Sequence, residues 1–312
     1  MKIFVKDFKE ADRIITPLLV SNVNRGVTAS GAPYLSLTLS DKSGSIEAKL
    51  WDVKEEQSVI CRIGKVLLVD GDIYKYKNGN QLKVRSVKEA EEYAVEDFVS
   101  SSEVSENKLR EEIYSTLDSI QNPVLSKVVT EVMKENEESF FKYPAASKNH
   151  HNYVGGLAEH TCGMLKMGKA MCEIYPLLNR DLLLSGIMIH DIGKIDELSG
   201  NIVTEYTTEG RLIGHISIMH AKLFEIADRL GVADTEEVLL LRHMVLAHHG
   251  AYEYGSPILP EIPEAEALTF IDNVDAKMNM LKKAMADTKE GEFTGRIFAL
   301  ENRSFYKSKL KK

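Results

Sequence analysis

The chain is short of cysteine, and the three it has, Cys61, Cys162 and Cys172, form no C-x-x-C pair. An odd count without paired spacing argues against a disulfide framework and a zinc–thiolate site, and fits a reducing compartment. Long apolar runs are also missing: nothing approaches the roughly 20 consecutive residues that a bilayer-spanning helix needs. The first residues, MKIFVKDFKEADR, lack the apolar stretch of a secretory signal. The expectation is a cytoplasmic protein without membrane association. No internal repeat or low-complexity tract is present, which argues against solenoid and fibrous designs.

What is present is ordinary globular material: 312 residues, 44% hydrophobic and 28% charged, enough for about two domains with a sizeable core. The net charge of −8 is unevenly distributed. Residues 1–90 hold 15 Lys/Arg and 11 Asp/Glu, or +4, which leaves −12 for the remainder. A mildly basic module suits a polyanionic partner, and an acidic body suits a cluster of cation-binding carboxylates.

Hydrophobic periodicity divides the chain in two. Residues 13–22 alternate loosely, and 34–39 (YLSLTL) put Tyr34, Ser36 and Thr38 on one face and three leucines on the other. Further strands are predicted at 45–51, 65–75 and 81–87, with turns at DKSG and at Asn78-Gly79. About five short strands in some 80 residues predict a small barrel. Residues 91–107 are acidic and serine-rich and read as a linker. From residue 108 the apolar spacing is helical, predicting helices at 108–120, 124–141, 157–174, 180–192, 215–230, 235–248 and 264–285. Residues 301–312 read as a loose basic tail.

The chemistry-bearing side chains are concentrated. All nine histidines lie between His150 and His249, several where predicted helices begin or end. The candidate set is His160, His190-Asp191, His215, His248-His249 and Asp272. Asp275, one helical turn from Asp272, is the competing carboxylate. Imidazole with carboxylate and no thiolate suits manganese, iron, cobalt, nickel or zinc. So many ligands on separate helices can hold two cations sharing one carboxylate. Such a pair clamps both oxygens of an in-line displacement at phosphorus. His220 and His243 read as packed helix residues. His150 and His151 lie close enough upstream to reach a substrate phosphate or to brace the loop.

His160, His190-Asp191 and Asp272, in that order on helices, resemble the HD-domain phosphohydrolases over roughly residues 145–285. His215, His248 and His249 resemble the two-metal branch. That resemblance implies a first metal on His160, His190, Asp191 and Asp272, and a second on Asp191, His215, His248 and His249. It also implies that Lys194, in HDIGK, contacts the scissile phosphate beside the catalytic Asp191, where a cation stabilises developing charge. The segments YLSLTLSDKSGSIEAKLWD and VDGDIYKYKNGNQLKV resemble an oligonucleotide-binding (OB) barrel. Candidate single-strand contacts there are Tyr34, Trp51, Tyr74 and Tyr76 with Lys75, Lys83 and Arg85; packing of the barrel is the alternative role for any single aromatic.

The fold class expected is therefore a small all-β OB barrel (1–90), a linker (91–107), an all-α HD bundle (108–300) and a tail (301–312). The pairing is similar over nearly the whole chain to the YhaM family of bacterial 3′-5′ exoribonucleases. This implies two divalent metal ions (manganese, with cobalt, iron or nickel as alternatives) and removal of nucleoside 5′-monophosphates from single-stranded RNA, with single-stranded DNA a second substrate. A homo-oligomer is compatible with the sequence. The rivals are a cyclic-dinucleotide or nucleotide phosphohydrolase with a regulatory barrel, and a non-catalytic single-strand-binding protein. The Gly-Tyr-Pro tripeptide that marks one cyclic-dinucleotide branch is absent. A buried, unpaired set of histidines and aspartates would be costly to keep without metal, which speaks against the binding protein.

Overall fold

The structure, a computed structural model, describes residues 3–76, 79–146, 151, 153–200 and 204–310. The chain divides into two compact units, one up to Ser101 and one from Ser102 onward. The first is a closed barrel in the order β1-β2-β3-β5-β4, with β1 Arg13–Val27, β2 Pro33–Asp41, β3 Gly44–Trp51, β4 Val66–Tyr76 and β5 Gly79–Glu89. Neighbours are antiparallel except β3 and β5, whose parallel pairing (Glu47↔Gln81 to Leu50↔Val84) closes the barrel. A short helix, α1 (Glu55–Ile60), connects β3 to β4. The period-2 alternation drives this closure: Leu35, Leu37 and Leu39 face Ile46, Ala48 and Leu50 across the inside, all at most 5% exposed.

The expected linker is partly built into this unit. Val95–Phe98 forms a turn of 3₁₀ helix and Phe98 is 1% exposed, its ring edge-on to Tyr93 at 5.9 Å. A buried aromatic inside an acidic, serine-rich stretch is invisible to composition, which averages it away.

The second unit is helical. It contains α2 (Glu106–Asp118), α3 (Pro123–Phe140), α4 (Gly156–Ile174), α5 (Arg180–Ile189), α6 (Lys194–Glu197), α7 (Thr208–Leu212), α8 (His215–Arg229), α9 (Glu236–Ala247) and α10 (Pro263–Ala286). Asn122 caps α3, its side-chain oxygen accepting from the N–H groups of Val124 and Leu125, with Pro123 just inside. Helix α5 is buried on every side from Leu182 to Ile189, so whatever follows it is delivered into the interior. It ends at Ile189, three residues before the predicted end. Instead of continuing, the chain makes tight turns, Ile192 N–H to Ile189 O (3.2 Å) and Lys194 N–H to Asp191 O (3.0 Å). Gly193 makes that turn possible: a Cβ there would lie 2.2 Å from the carbonyl oxygen of His215.

The tail is not loose along its length. Residues 291–307 fold back on themselves through Phe293↔Tyr306 and Ile297↔Arg303 pairings, with Leu300 buried. The Lys307 ammonium donates to the carbonyls of Met285 and Thr288, both at 2.7 Å, at the C-terminal end of α10. A basic side chain on the last carbonyls of a helix is favourable, and this fixes the fold-back.

Candidate metal centre

Five helices converge on one carboxylate. His160 lies in the first turns of α4, His190 and Asp191 follow α5, His215 opens α8, His248 and His249 follow α9, and Asp272 sits in α10. Asp191 stands at the centre, 3% exposed by its side chain, and its two oxygens point to different groups. Oδ2 is 3.4 Å from His190 Nε2 and 3.8 Å from His160 Nε2. Oδ1 is 3.6 Å from His215 Nε2 and 3.7 Å from His248 Nε2. Asp272 Oδ1 closes the first group, 3.3 Å from His160 Nε2. His249 joins the second, its ring 4.3 Å from that of His248 and 5.2 Å from that of His215.

Each imidazole is oriented by its other nitrogen. Nδ1 of His190 donates to Ile187 O (2.8 Å), His248 to Val245 O (2.7 Å), and His249 to Tyr254 O (2.7 Å). Carboxylates do the same for two more: Asp275 Oδ2 for His160 (2.7 Å) and Glu197 Oε1 for His215 (3.0 Å). A proton held on Nδ1 leaves the Nε2 lone pair as an acceptor aimed inward.

The charges follow from this packing. Burial lowers the imidazoles of His215 and His248, and takes His249 down to about 4, so these rings are neutral near pH 7. Burial alone would raise Asp191, but Lys194 and His190 hold it well below the usual carboxylate range. Lys194, buried, donates to Asp191 Oδ2 at 2.6 Å, and that contact outweighs burial and raises its own pKa. Burial opposes charge on His160 too, but Asp272 and Asp275 together raise it to about 9. His160 and its neighbours in turn hold both aspartates below the usual range despite burial.

This donor set fits divalent cations. Among the described residues, Nε2 of His190, His215 and His248 and Oδ1 of Asp191 are buried without a hydrogen-bond partner, a costly arrangement for a protein unless something accepts their lone pairs. The ligand atoms of His215, His248 and His249 lie within 4.8 Å of one another, as do those of His160, His190 and Asp272. Two cations with Asp191 between them would satisfy all of these atoms, and imidazole with carboxylate is the chemistry of Mn, Fe, Co, Ni or Zn.

Asp275, the competing carboxylate, does not point at this centre; it stands behind His160. Glu197 was not singled out from sequence: it accepts both the N–H (3.1 Å) and the Nδ1–H of His215, eighteen residues on. Only a long-range contact reveals it. His220 accepts from Arg242 (3.1 Å) and His243 from the Glu261 N–H (3.0 Å), away from the cluster. His150 lies outside the described residues. Of the two roles open to His151, phosphate contact or bracing the loop, its partners fit bracing. This residue is 4% exposed, with Nε2 2.8 Å from Asp275 Oδ2 and Nδ1 2.8 Å from the Tyr153 hydroxyl, so both ring nitrogens are already engaged.

On the barrel the expected aromatics separate into two places. Tyr34 and Trp51 pair across β2 and β3, their centroids 5.0 Å apart, with the Lys49 ammonium 5.0 Å from the Tyr34 ring. Lys83 lies beside Lys49 in the parallel register, and Arg85 is ion-paired with Asp72. Tyr74 and Tyr76 stand further along, Tyr74 hydrogen-bonded to Gln81, which neighbours Glu47 rather than Trp51. Lys75 projects from the opposite side of β4 from the two tyrosines. The set is therefore not one continuous row; the reason is the β4–β5 register, which periodicity does not contain.

A family model described as HD domain matches residues 157–277, and one described as OB-fold nucleic acid binding domain matches residues 19–90. A protein named 3′-5′ exoribonuclease YhaM from Geobacillus sp. (strain WCH70) is 45% identical over 303 residues, covering 96% of this chain and 93% of that protein. Its namesake from Bacillus pumilus (strain SAFR-032) is 44% identical over 306 residues, 97% of each chain. That of Bacillus subtilis (strain 168) is 45% identical over 293 residues, 93% of each.

Proposed function

The chain belongs to the YhaM family of 3′-5′ exoribonucleases, and from that premise we propose which substrate it takes and which residues act on it. It is a metal-dependent 3′-5′ exoribonuclease with an HD domain and a nucleic-acid-binding OB barrel. The substrate is single-stranded RNA with a free 3′ end, with single-stranded DNA second, and the products are nucleoside 5′-monophosphates. The observation that carries this is the convergence of histidine Nε2 atoms on the two oxygens of Asp191.

Two divalent cations, manganese first, would be held by His160, His190, Asp191 and Asp272 on one side and by Asp191, His215, His248 and His249 on the other. Bound there, they would supply Lewis-acid neutralisation of the charge that builds on the phosphodiester. The protein's own contribution is placement. Asp191 holds the two halves of the centre in register. Lys194 is an ammonium with three N–H donors; one lies on Asp191, which leaves others for an oxygen of the scissile phosphate. The histidines, fixed through Nδ1, need no reorganisation when the centre fills.

The barrel holds the strand. Tyr34 and Trp51 lie on β2 and β3, the strand pair with which OB folds face oligonucleotides, and Trp51 is 42% exposed. Stacking on such a pair is indifferent to sequence, as an exonuclease that removes whichever nucleotide comes next requires; Lys83 and Arg85 add charge nearby. Among the described residues no helix is long and apolar enough to cross a membrane; we place the enzyme in the cytoplasm, where such RNA is available.

Incubating 5′-labelled single-stranded RNA with the full chain tests this. With Mn²⁺ a ladder should shorten from the 3′ end, and EDTA or a 3′-phosphate should stop it. Undiminished cleavage under complete chelation, or internal cuts in the blocked RNA, would refute the reading.

A further inference from the structure

Asp275 carries more than one imidazole. The same oxygen, Oδ2, takes His160 Nδ1 at 2.7 Å and His151 Nε2 at 2.8 Å. Behind His151, the Tyr153 hydroxyl lies 2.8 Å from Nδ1. The backbone N–H of His151 donates to Asn279 Oδ1 at 3.0 Å. Asn279 follows Asp275 by four residues, so one face of α10 grips both the ring and the backbone of His151.

The proton arrangement follows from these partners. An ionised carboxylate only accepts, so His160 carries a proton on Nδ1 and His151 one on Nε2. Nδ1 of His151 then accepts from the Tyr153 hydroxyl. Burial pushes that phenol far up, so it keeps its proton to donate. Hydrogen bonds thus run from Tyr153 through His151 to Asp275, where His160 meets them from the other side. This leaves His160 Nε2 as the nitrogen that faces Asp272 and Asp191, 3.3 Å and 3.8 Å away, and a cation bound there would take the place of its proton.

The backbone is arranged for this contact. His151 sits at φ +45°, a conformation non-glycine residues seldom adopt, and such strain persists only where the surroundings enforce it. Its carbonyl accepts the N–H of Ala145 at 3.0 Å and packs on Gly156, where a Cβ would stand 2.0 Å away. His151 lies upstream of the matched HD region, which begins at residue 157.

We infer that His151 is a positioning residue for the first cation site: braced by Tyr153 and Asn279, it holds Asp275 in place and so orients and polarises His160. This rests on the metal centre proposed above. It assigns the centre a residue upstream of the matched region, and it gives His151 a bracing role in place of phosphate contact.

The test compares two substitutions in the full-length protein. His151→Asn suits the left-handed backbone and keeps an amide near the Nδ1 position, but loses the reach to Asp275. His151→Gln places its amide N–H near the Nε2 position and restores that donor. Titration with Mn²⁺ by calorimetry, and with Co²⁺ by visible absorption, should show one of two sites weakened ~10–100-fold in His151→Asn. The other site should be unchanged, and KM for RNA should stay within about threefold of wild type, a shift too small to register as lost binding energy. His151→Gln should recover most of the lost affinity. Both variants should show cooperative unfolding, which separates this role from a merely structural one. Wild-type metal affinity at both sites in His151→Asn would overturn the inference, as would failure of His151→Gln to recover it. A raised KM with intact metal binding would return His151 to phosphate contact. If the wild-type protein itself bound no cation, the metal-centre reading would fall first, and the two failures are thereby distinct.

Discussion

A histidine becomes a metal ligand when its proton is placed on the far nitrogen, and this chain does that five times with two kinds of acceptor. Backbone carbonyls serve His190, His248 and His249, and carboxylates serve His160 and His215. The difference is testable. Glu197→Gln keeps an acceptor but removes the charge behind His215, so affinity at the second site should fall about tenfold while the first is unchanged; Mn²⁺ calorimetry measures both. Lys194→Ala should behave otherwise. Removing a buried cation beside the reacting phosphate should lower kcat by about 10²-fold with little change in KM for RNA. An equal loss in kcat/KM through KM alone would mean that Lys194 serves ground-state binding instead.

At the scale of elements, the decisive feature is where α5 stops. The run LLLSGIMIH announces a buried helix ending in a polar pair, and His190 and Asp191 were legible for that reason. The stop itself was not, because it depends on Gly193 lying against the His215 backbone, a contact between residues 22 apart. Gly193→Ala should cost about 1–3 kcal/mol of stability and abolish metal binding at the second site, read by thermal unfolding with and without Mn²⁺. The same reasoning separates what the sequence offers from what it hides. His160, His215, His248-His249 and Asp272 stand out by their order and their places near predicted helix ends, and Asp275 and His151 could be named without their partners, whereas Glu197 could not be singled out because its contact with His215 is long-range. The tail misled for a related cause: its lysines read as a solvated end, and only the C-terminal carbonyls of α10 explain why Lys307 is held.

For the whole molecule, the prediction concerns the division of labour between barrel and helical domain. If the barrel holds the strand and the HD domain cuts it, Trp51→Ala should weaken single-stranded RNA binding roughly 5- to 100-fold, the loss of one stacked base. Its kcat at saturation should stay near wild type, and binding by either protein should fall with rising salt. Binding and cleavage that both survive would remove the Tyr34–Trp51 pair from the RNA path. The barrel as a fold was readable from strand alternation; which aromatics share a patch was not, since that follows from register and closure.

The central claim is that Asp191 lies between two cations, and anomalous scattering at the manganese edge from crystals of the Mn²⁺-loaded protein tests it most directly. Two peaks are expected, one on each side of the Asp191 carboxylate. The first should lie beside Nε2 of His160 and His190 with Asp272, the second beside Nε2 of His215, His248 and His249. A single peak that leaves either histidine group without a metal, or peaks that do not touch Asp191, would contradict it.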